Sequence, residues 1–149
     1  DEQTLIVLIY SPESSRLTSK IILKQQQNVL NQDEKAIEAM HQLKKQAVMM
    51  KESLLRGNLD EIGEILDFGW NFKKQMAEGI TNPAIDQLYQ AALSSGATGG
   101  KISGAGGGGY MFFYCPGNTR YQVLESLKQF GGHAERYEFT STGLVSRTL

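Results

Sequence analysis

Between Gly99 and Gly109 the chain reads Gly-Gly-Lys-Ile-Ser-Gly-Ala-Gly-Gly-Gly-Gly, a segment whose chemistry lies in its backbone. Without Cβ atoms, successive residues can turn their N–H groups toward one point and let an anion approach closely, which is the physics of a phosphate nest. Lys101 adds a positive charge and Ser103 a hydroxyl. The candidate phosphate-binding residues are therefore Lys101, Ser103, Gly104, Ala105, Gly106, Gly107, Gly108 and Gly109. A Gly-rich hairpin or bulge with no ligand reads from the same residues. Five glycines in the six positions 104–109 are costly to order, which favours a ligand or close packing.

Two familiar phosphate motifs are excluded. Gly104, Gly106 and Gly109 satisfy G-x-G-x-x-G, but a dinucleotide fingerprint must open a helix, and the strand-like run Tyr110–Cys115 follows. Gly100-Lys101 is followed by Ile102 rather than Ser or Thr, and Ser95 stands where a Walker A loop needs its first glycine.

Other reactive side chains are scattered. Arg16, just after a strand end, is a candidate for bidentate contact with a substrate phosphate, or a solvated surface cation. His41 reads as a partly exposed helix residue, and His133, after Gly131-Gly132, as a turn residue with no carboxylate partner beside it. Cys115 at a strand end reads as packing. Trp70, with Phe68 and Phe72, reads as core or as a wall against a further domain. Asp60, Glu61, Glu64 and Asp67 read as the charged outer face and first turn of a helix. No catalytic residue and no metal-ligand set is assigned within this chain.

The elements that must position the glycine segment belong to a chain of 149 residues, 40% apolar and 21% charged, which predicts one domain over residues 1–149. Fifteen Lys and Arg against sixteen Asp and Glu give a net charge of −1, so no broad field favours nucleic acid or an anionic membrane. The longest strongly apolar run, Leu5–Tyr10, is far short of the roughly 20 residues that cross a bilayer. One Cys and two His leave neither an internal disulfide nor a zinc set, which predicts a reducing cytoplasm. The chain starts at Asp1 without Met and enters an apolar run at once, which predicts a piece of something longer.

Leu5–Tyr10, stopped by Ser11-Pro12, reads as a buried strand. Leu17, Ile21, Ile22, Val29 and Leu30 predict a helix that loses definition through Gln25–Asn28. Ala36, Met40, Leu43, Ala47, Met50 and Leu54 mark one face of a long helix, started by Asn31 with Glu34 and ended by Gly57. Asn58 with Glu61 predicts a second long helix, carried by Leu59, Ile62, Leu66, Phe72 and Met76 to Gly79 and packed antiparallel on the first. Asn82-Pro83 starts a third, with Ile85, Leu88, Tyr89 and Ala92 buried. A strand over Tyr110–Cys115, a helix over Thr119–Phe130, a strand over Ala134–Phe139 and a further one over Val145–Leu149 complete the order. Helices segregated from strands predict an α+β fold: a mainly antiparallel sheet of about four strands with helices packed on one face.

Gly96–Gly109 with the aromatic strand after it resembles the third conserved motif of the GHMP small-molecule kinases. Ser11–Ser19, with Arg16, is similar to the turn that begins that family's C-terminal domain. The ending Phe112-Phe113-Tyr114-Cys115-Pro116 most resembles the family's heptose 7-phosphate kinases. The resemblance implies the C-terminal half of an ATP-dependent sugar-phosphate kinase. Its partners would be ATP, a small-molecule sugar phosphate and an N-terminal domain, and its cofactors ATP and Mg2+. The N-terminal domain would carry the ATP loop P-x-x-x-G-L-x-S-S, the magnesium carboxylate and the catalytic Asp. None of the three prolines here opens such a loop, so the resemblance implies that this chain alone lacks kinase activity. In that setting Ser103–Gly109 would close over the triphosphate, and its N–H groups and Lys101 would stabilise charge on the phosphoryl group in flight. The alternatives are a free-standing α+β module that binds a phosphate ligand without catalysis, and a tight β connection beside a helical protein interface.

Overall fold

A computed structural model describes residues 5–11, 18–131, 133–135, 141–143 and 145–146. Four strands form one sheet: β1 (Leu5–Ser11), β2 (Gly99–Ser103), β3 (Gly109–Cys115) and β4 (Ala134–Glu135), in the order β2-β3-β1-β4. Every pairing is antiparallel, with Leu5 opposite Cys115 and Ser11 opposite Gly109 in one ladder, and Gly100 opposite Phe113 in the next. The apolar run at the start of the chain thus lies inside the sheet, between β3 and β4, as a β-branched, Leu-rich segment should. Met111, Phe113 and Cys115 alternate on β3 and join Ile102 of β2 in the core beneath the helices, while Tyr110 on the other face is exposed. The α+β class with an antiparallel sheet is borne out.

The helices are α1 (Thr18–Leu30), α2 (Glu34–Arg56), α3 (Ile62–Lys73), α4 (Pro83–Ser94) and α5 (Arg120–Leu127), with single 3-10 turns at Leu59–Glu61 and Lys128–Phe130. None among the described residues is long and apolar enough to cross a membrane. Asn82 caps α4 by accepting from the Ile85 N–H at 2.9 Å, with Pro83 at the first helical position. Ile85, Leu88, Tyr89 and Ala92 are its buried face, as their spacing predicts.

Several local readings are corrected. Helix α1 runs unbroken through its glutamines, because that polar stretch is a docking face: Asn28 donates to the Met76 carbonyl at 2.9 Å, and Gln25 accepts from Lys73 at 3.3 Å. The cap of α2 is Asp33 rather than Asn31; its carboxylate accepts from the Ala36 N–H at 3.0 Å. Asn58 makes no side-chain cap, and α3 begins only after a 3-10 turn. That helix stops at Lys73, well before Gly79, because Met76, Ala77 and Ile80 turn back into the core. No strand forms at Val145 and Ser146, and the strand at Ala134 is described only to Glu135; residues 136–140 and 147–149 lie outside the described residues.

The inward face of α2 is also rotated from the stripe expected. Ala36, Ala39 and Ser53 are buried, with Leu43 and Gln46 half-buried, whereas Met40, Ala47 and Leu54 face outward. The reason is the surface that α2 meets. Gln46 donates to the Ile65 carbonyl at 3.0 Å and its amide fills the space that a Cβ on Gly69 would take, so small and polar residues fit there. Ser53 lies by Asn58 and Gln46 by Ile65 and Gly69, so α2 and α3 run antiparallel, as expected.

On its other side α3 meets β2 without side chains between them. A Cβ on Gly99 would collide with the Gly63 carbonyl, and one on Gly63 with Thr98. Gly99→Ala should therefore lower unfolding free energy by roughly 1–3 kcal/mol through overpacking. Gly143→Ala, with open space around it, should stay within about 0.5 kcal/mol of the parent in the same urea titration. Asp33→Ala should cost about 1 kcal/mol as a lost cap. An equal loss from Asn31→Ala would reverse the cap assignment.

Candidate active site

The glycine segment is a hairpin loop. β2 pairs with β3 from Gly99 opposite Tyr114 to Ser103 opposite Tyr110, and residues 104–108 make the connection. Gly104, Gly106, Gly107, Gly108 and Gly109 all have positive φ, a path that side chains would strain. The loop does not stand free. Gly107 donates its N–H to the Ile80 carbonyl at 2.8 Å, and a Cβ on Gly106 would lie 2.7 Å from the Ile80 backbone. The turn after α3 is thus the floor on which the loop rests.

This contact decides which amides remain for a ligand. Gly107 has spent its N–H on Ile80, whereas Gly104, Ala105, Gly106 and Gly108 donate to no described residue. Gly106 and Gly108 are buried residues, and their N–H groups, which no described residue accepts, are available to a ligand or water. Gly109 opens β3 opposite Ser11. Lys101 and Ser103 are exposed on β2. Arg16 lies outside the described residues.

Behind the loop, one hydrogen-bonded network ties three elements together. Tyr89 of α4 donates to the Asp67 carboxylate of α3 at 2.7 Å and accepts from the Gly100 N–H of β2 at 3.1 Å. Asn71 donates to the other Asp67 oxygen at 3.0 Å. Burial, then the hydrogen bond and charge of Asp67, push the Tyr89 hydroxyl well above the ordinary tyrosine range, so it stays protonated as donor. Asp67 is therefore half-buried and tied to α4, whereas Asp60, Glu61 and Glu64 are exposed, and it does not belong to an outer charged face. Among the described residues no group of three His, Cys, Asp or Glu is placed to hold a metal.

The remaining candidates fall where packing puts them. His41 and His133 are exposed. Cys115 is fully buried, and burial pushes its thiol up to about 11, which suits a packing residue and not a nucleophile. Trp70 is core, 2% exposed, in a ladder with Tyr89 at 5.9 Å and from Tyr89 to Phe113 at 5.6 Å.

Lys73 was not read from the sequence. It is half-buried near Lys101, and burial, followed by the charge of Lys101, holds its ammonium below the ordinary lysine value. The available signal was the spacing of Trp70, Lys73 and Lys74, which stand three and four apart on one helix surface.

Comparison with known proteins agrees with this geometry. A family model described as GHMP kinases C terminal matches residues 50–133, more than half of the chain. The D-glycero-alpha-D-manno-heptose 7-phosphate kinase of Campylobacter jejuni is 38% identical over 114 residues, which are 76% of this chain and 34% of that protein. The mevalonate kinase of Methanothermobacter thermautotrophicus is 34% identical over 92 residues, 62% of this chain and 29% of its own length. The fold is shared with the mevalonate kinase of L. major in complex with R-mevalonate, at a TM-score of 0.74 and 19% identity, over 85% of this chain and 39% of that one. The chain thus spans about a third of the length of the curated relatives it matches. A glycine hairpin seated on an antiparallel sheet, with a matching family model across it, makes this chain a member of the GHMP kinase family, in the region of that family's C-terminal domain.

Proposed function

We propose that this chain is the C-terminal part of an ATP-dependent sugar-phosphate kinase, and that its glycine hairpin binds phosphate groups during transfer of the ATP γ-phosphate. The observation that carries the reading is the set of amides at Gly104, Ala105, Gly106 and Gly108 that no described residue accepts, beside the exposed cation of Lys101. Positive-φ glycines with unspent N–H groups present donors to an acceptor-only ligand at no further cost of reorganisation. In this reading Lys101 and Ser103 supply a charge and a hydroxyl at the mouth of the loop. Gly107 serves by holding the loop on Ile80.

A heptose 7-phosphate is the acceptor class favoured by the relative at 38% identity, whose name states that substrate. The remaining machinery, including an ATP loop, a catalytic carboxylate and the ligands for Mg2+, is assigned to an N-terminal domain. The described residues hold no carboxylate, His or Cys cluster that would take the metal's place here. Neutralising the charge that develops on the moving phosphoryl group is the work left to this chain.

The test is phosphoryl transfer from ATP to heptose 7-phosphate by a protein that joins this chain to a GHMP ATP-loop domain. Lys101→Met should cost on the order of 2–4 kcal/mol of transition-state stabilisation, read as a fall in kcat. Its thermal midpoint should be unchanged, because the side chain is exposed. Gly106→Val should abolish turnover but also lower stability, since the Ile80 backbone stands in its way. Phosphate binding with no turnover in the parent protein would reduce the hairpin to a binding module.

A further inference from the structure

Against one side of the hairpin lies a cavity of about 210 Å³ between α2, α3 and β2, whose lining includes Gln46, Trp70, Lys73, Lys101 and Gly104. Its chemistry is one-sided. Two lysines reach it, and among the described residues neither has a carboxylate within ion-pair distance; the ion pairs described join Arg56 to Glu52 and Lys128 to Glu125, far along the chain. Lys73 donates to the Gln25 side-chain Oε1 at 3.3 Å, an acceptor that orients the ammonium without neutralising it. Trp70, 2% exposed, has an indole N–H that is buried with no partner among the described residues. Lys74 lies 5.8 Å from the centroid of the same ring, a third positive charge nearby.

The half-buried Lys73 ammonium is repelled by the exposed Lys101 across the cavity, and a buried indole N–H left unpaired costs free energy. An acceptor-only anion in the cavity would offset the repulsion, and Trp70, whose N–H has no partner among the described residues, lines that cavity. The cavity is smaller than the roughly 300–1,000 Å³ of sites that enclose drug-sized ligands, so it suits one compact charged group and not a nucleotide.

We infer that Trp70, Lys73 and Lys101 form a second anion subsite, adjoining the glycine loop at Gly104, which takes the phosphate monoester of the acceptor that does not react. The inference rests on the kinase reading above and adds the residues that distinguish a phosphorylated acceptor from a neutral sugar. Lys101 and Gly104, both assigned above to the hairpin's phosphate site, also line this cavity.

Trp70 is the only tryptophan in the chain, so its emission reports on the subsite directly. Titrating the 149-residue chain with inorganic phosphate at constant ionic strength should give a saturable change in Trp70 emission. Lys73→Met should raise the midpoint at least tenfold, Lys73→Arg should restore most of the affinity, and Lys20→Met, exposed on α1, should leave it unchanged. Circular dichroism would verify that each variant is folded. Emission that ignores phosphate, or responds equally in Lys73→Met, overturns the subsite. Heptose 7-phosphate should displace phosphate at lower concentration than either ATP or the unphosphorylated heptose. Equal displacement by ATP would overturn the assignment to the acceptor. The two readings fail separately: an unresponsive Trp70 with Lys101→Met still slowing transfer removes only the subsite, whereas a responsive Trp70 without any transfer removes the kinase reading.

Discussion

Helix α3 lies on strand β2 with backbone against backbone, because Gly63 on the helix and Gly99 on the strand leave no side chain between them. Everything near the glycine hairpin depends on that approach. It lets Tyr89 reach from α4 to both Asp67 and the Gly100 amide, and so locks the start of β2. It also brings the last turn of α3, with Trp70 and Lys73, alongside Lys101. One added methyl group at either glycine would push the helix outward and separate these groups.

The same helix is shaped on its opposite side by α2. Gln46 occupies the hollow left by Gly69 and bonds the Ile65 carbonyl, so α3 is gripped between a polar clasp and a bare strand. The consequence for α2 is an inward face of small and polar residues. Apolar side chains are left on the surface, with Leu30 of α1 80% exposed and Leu55 of α2 76% exposed. Strict hydrophobic periodicity fails here because packing follows shape, and two helices in close contact favour small residues over large ones.

The hairpin shows the opposite balance, with a rigid path built from residues that have no stiffness of their own. Five glycines in left-handed or extended positive-φ conformations hold one course because Ile80 takes the Gly107 amide and lies under Gly106. The turn after α3 thereby does two things, filling the core with Met76, Ala77 and Ile80 and supporting the loop. Neither a free loop nor a bare hairpin describes it. It is a β connection in which one amide is spent on the protein and four are not accepted by any described residue.

Much of this was legible in the chain itself. Local chemistry decided the starts and ends of helices where a cap and its target are neighbours, as at Asn82-Pro83 and Gly57. The strand character of Leu5–Tyr10 and Tyr110–Cys115, the buried face of α4 and the concentration of glycines at 104–109 were likewise readable. What the chain could not display were relations between distant segments. That Gly63 faces Gly99, that Gln46 fills Gly69, that Ile80 carries the loop and that Lys73 meets Lys101 depend on pairs of residues separated by up to 36 positions. Glycines inside a helical pattern signal that some backbone comes close, but only the folded chain decides which one, because a glycine carries no side chain to specify its neighbour.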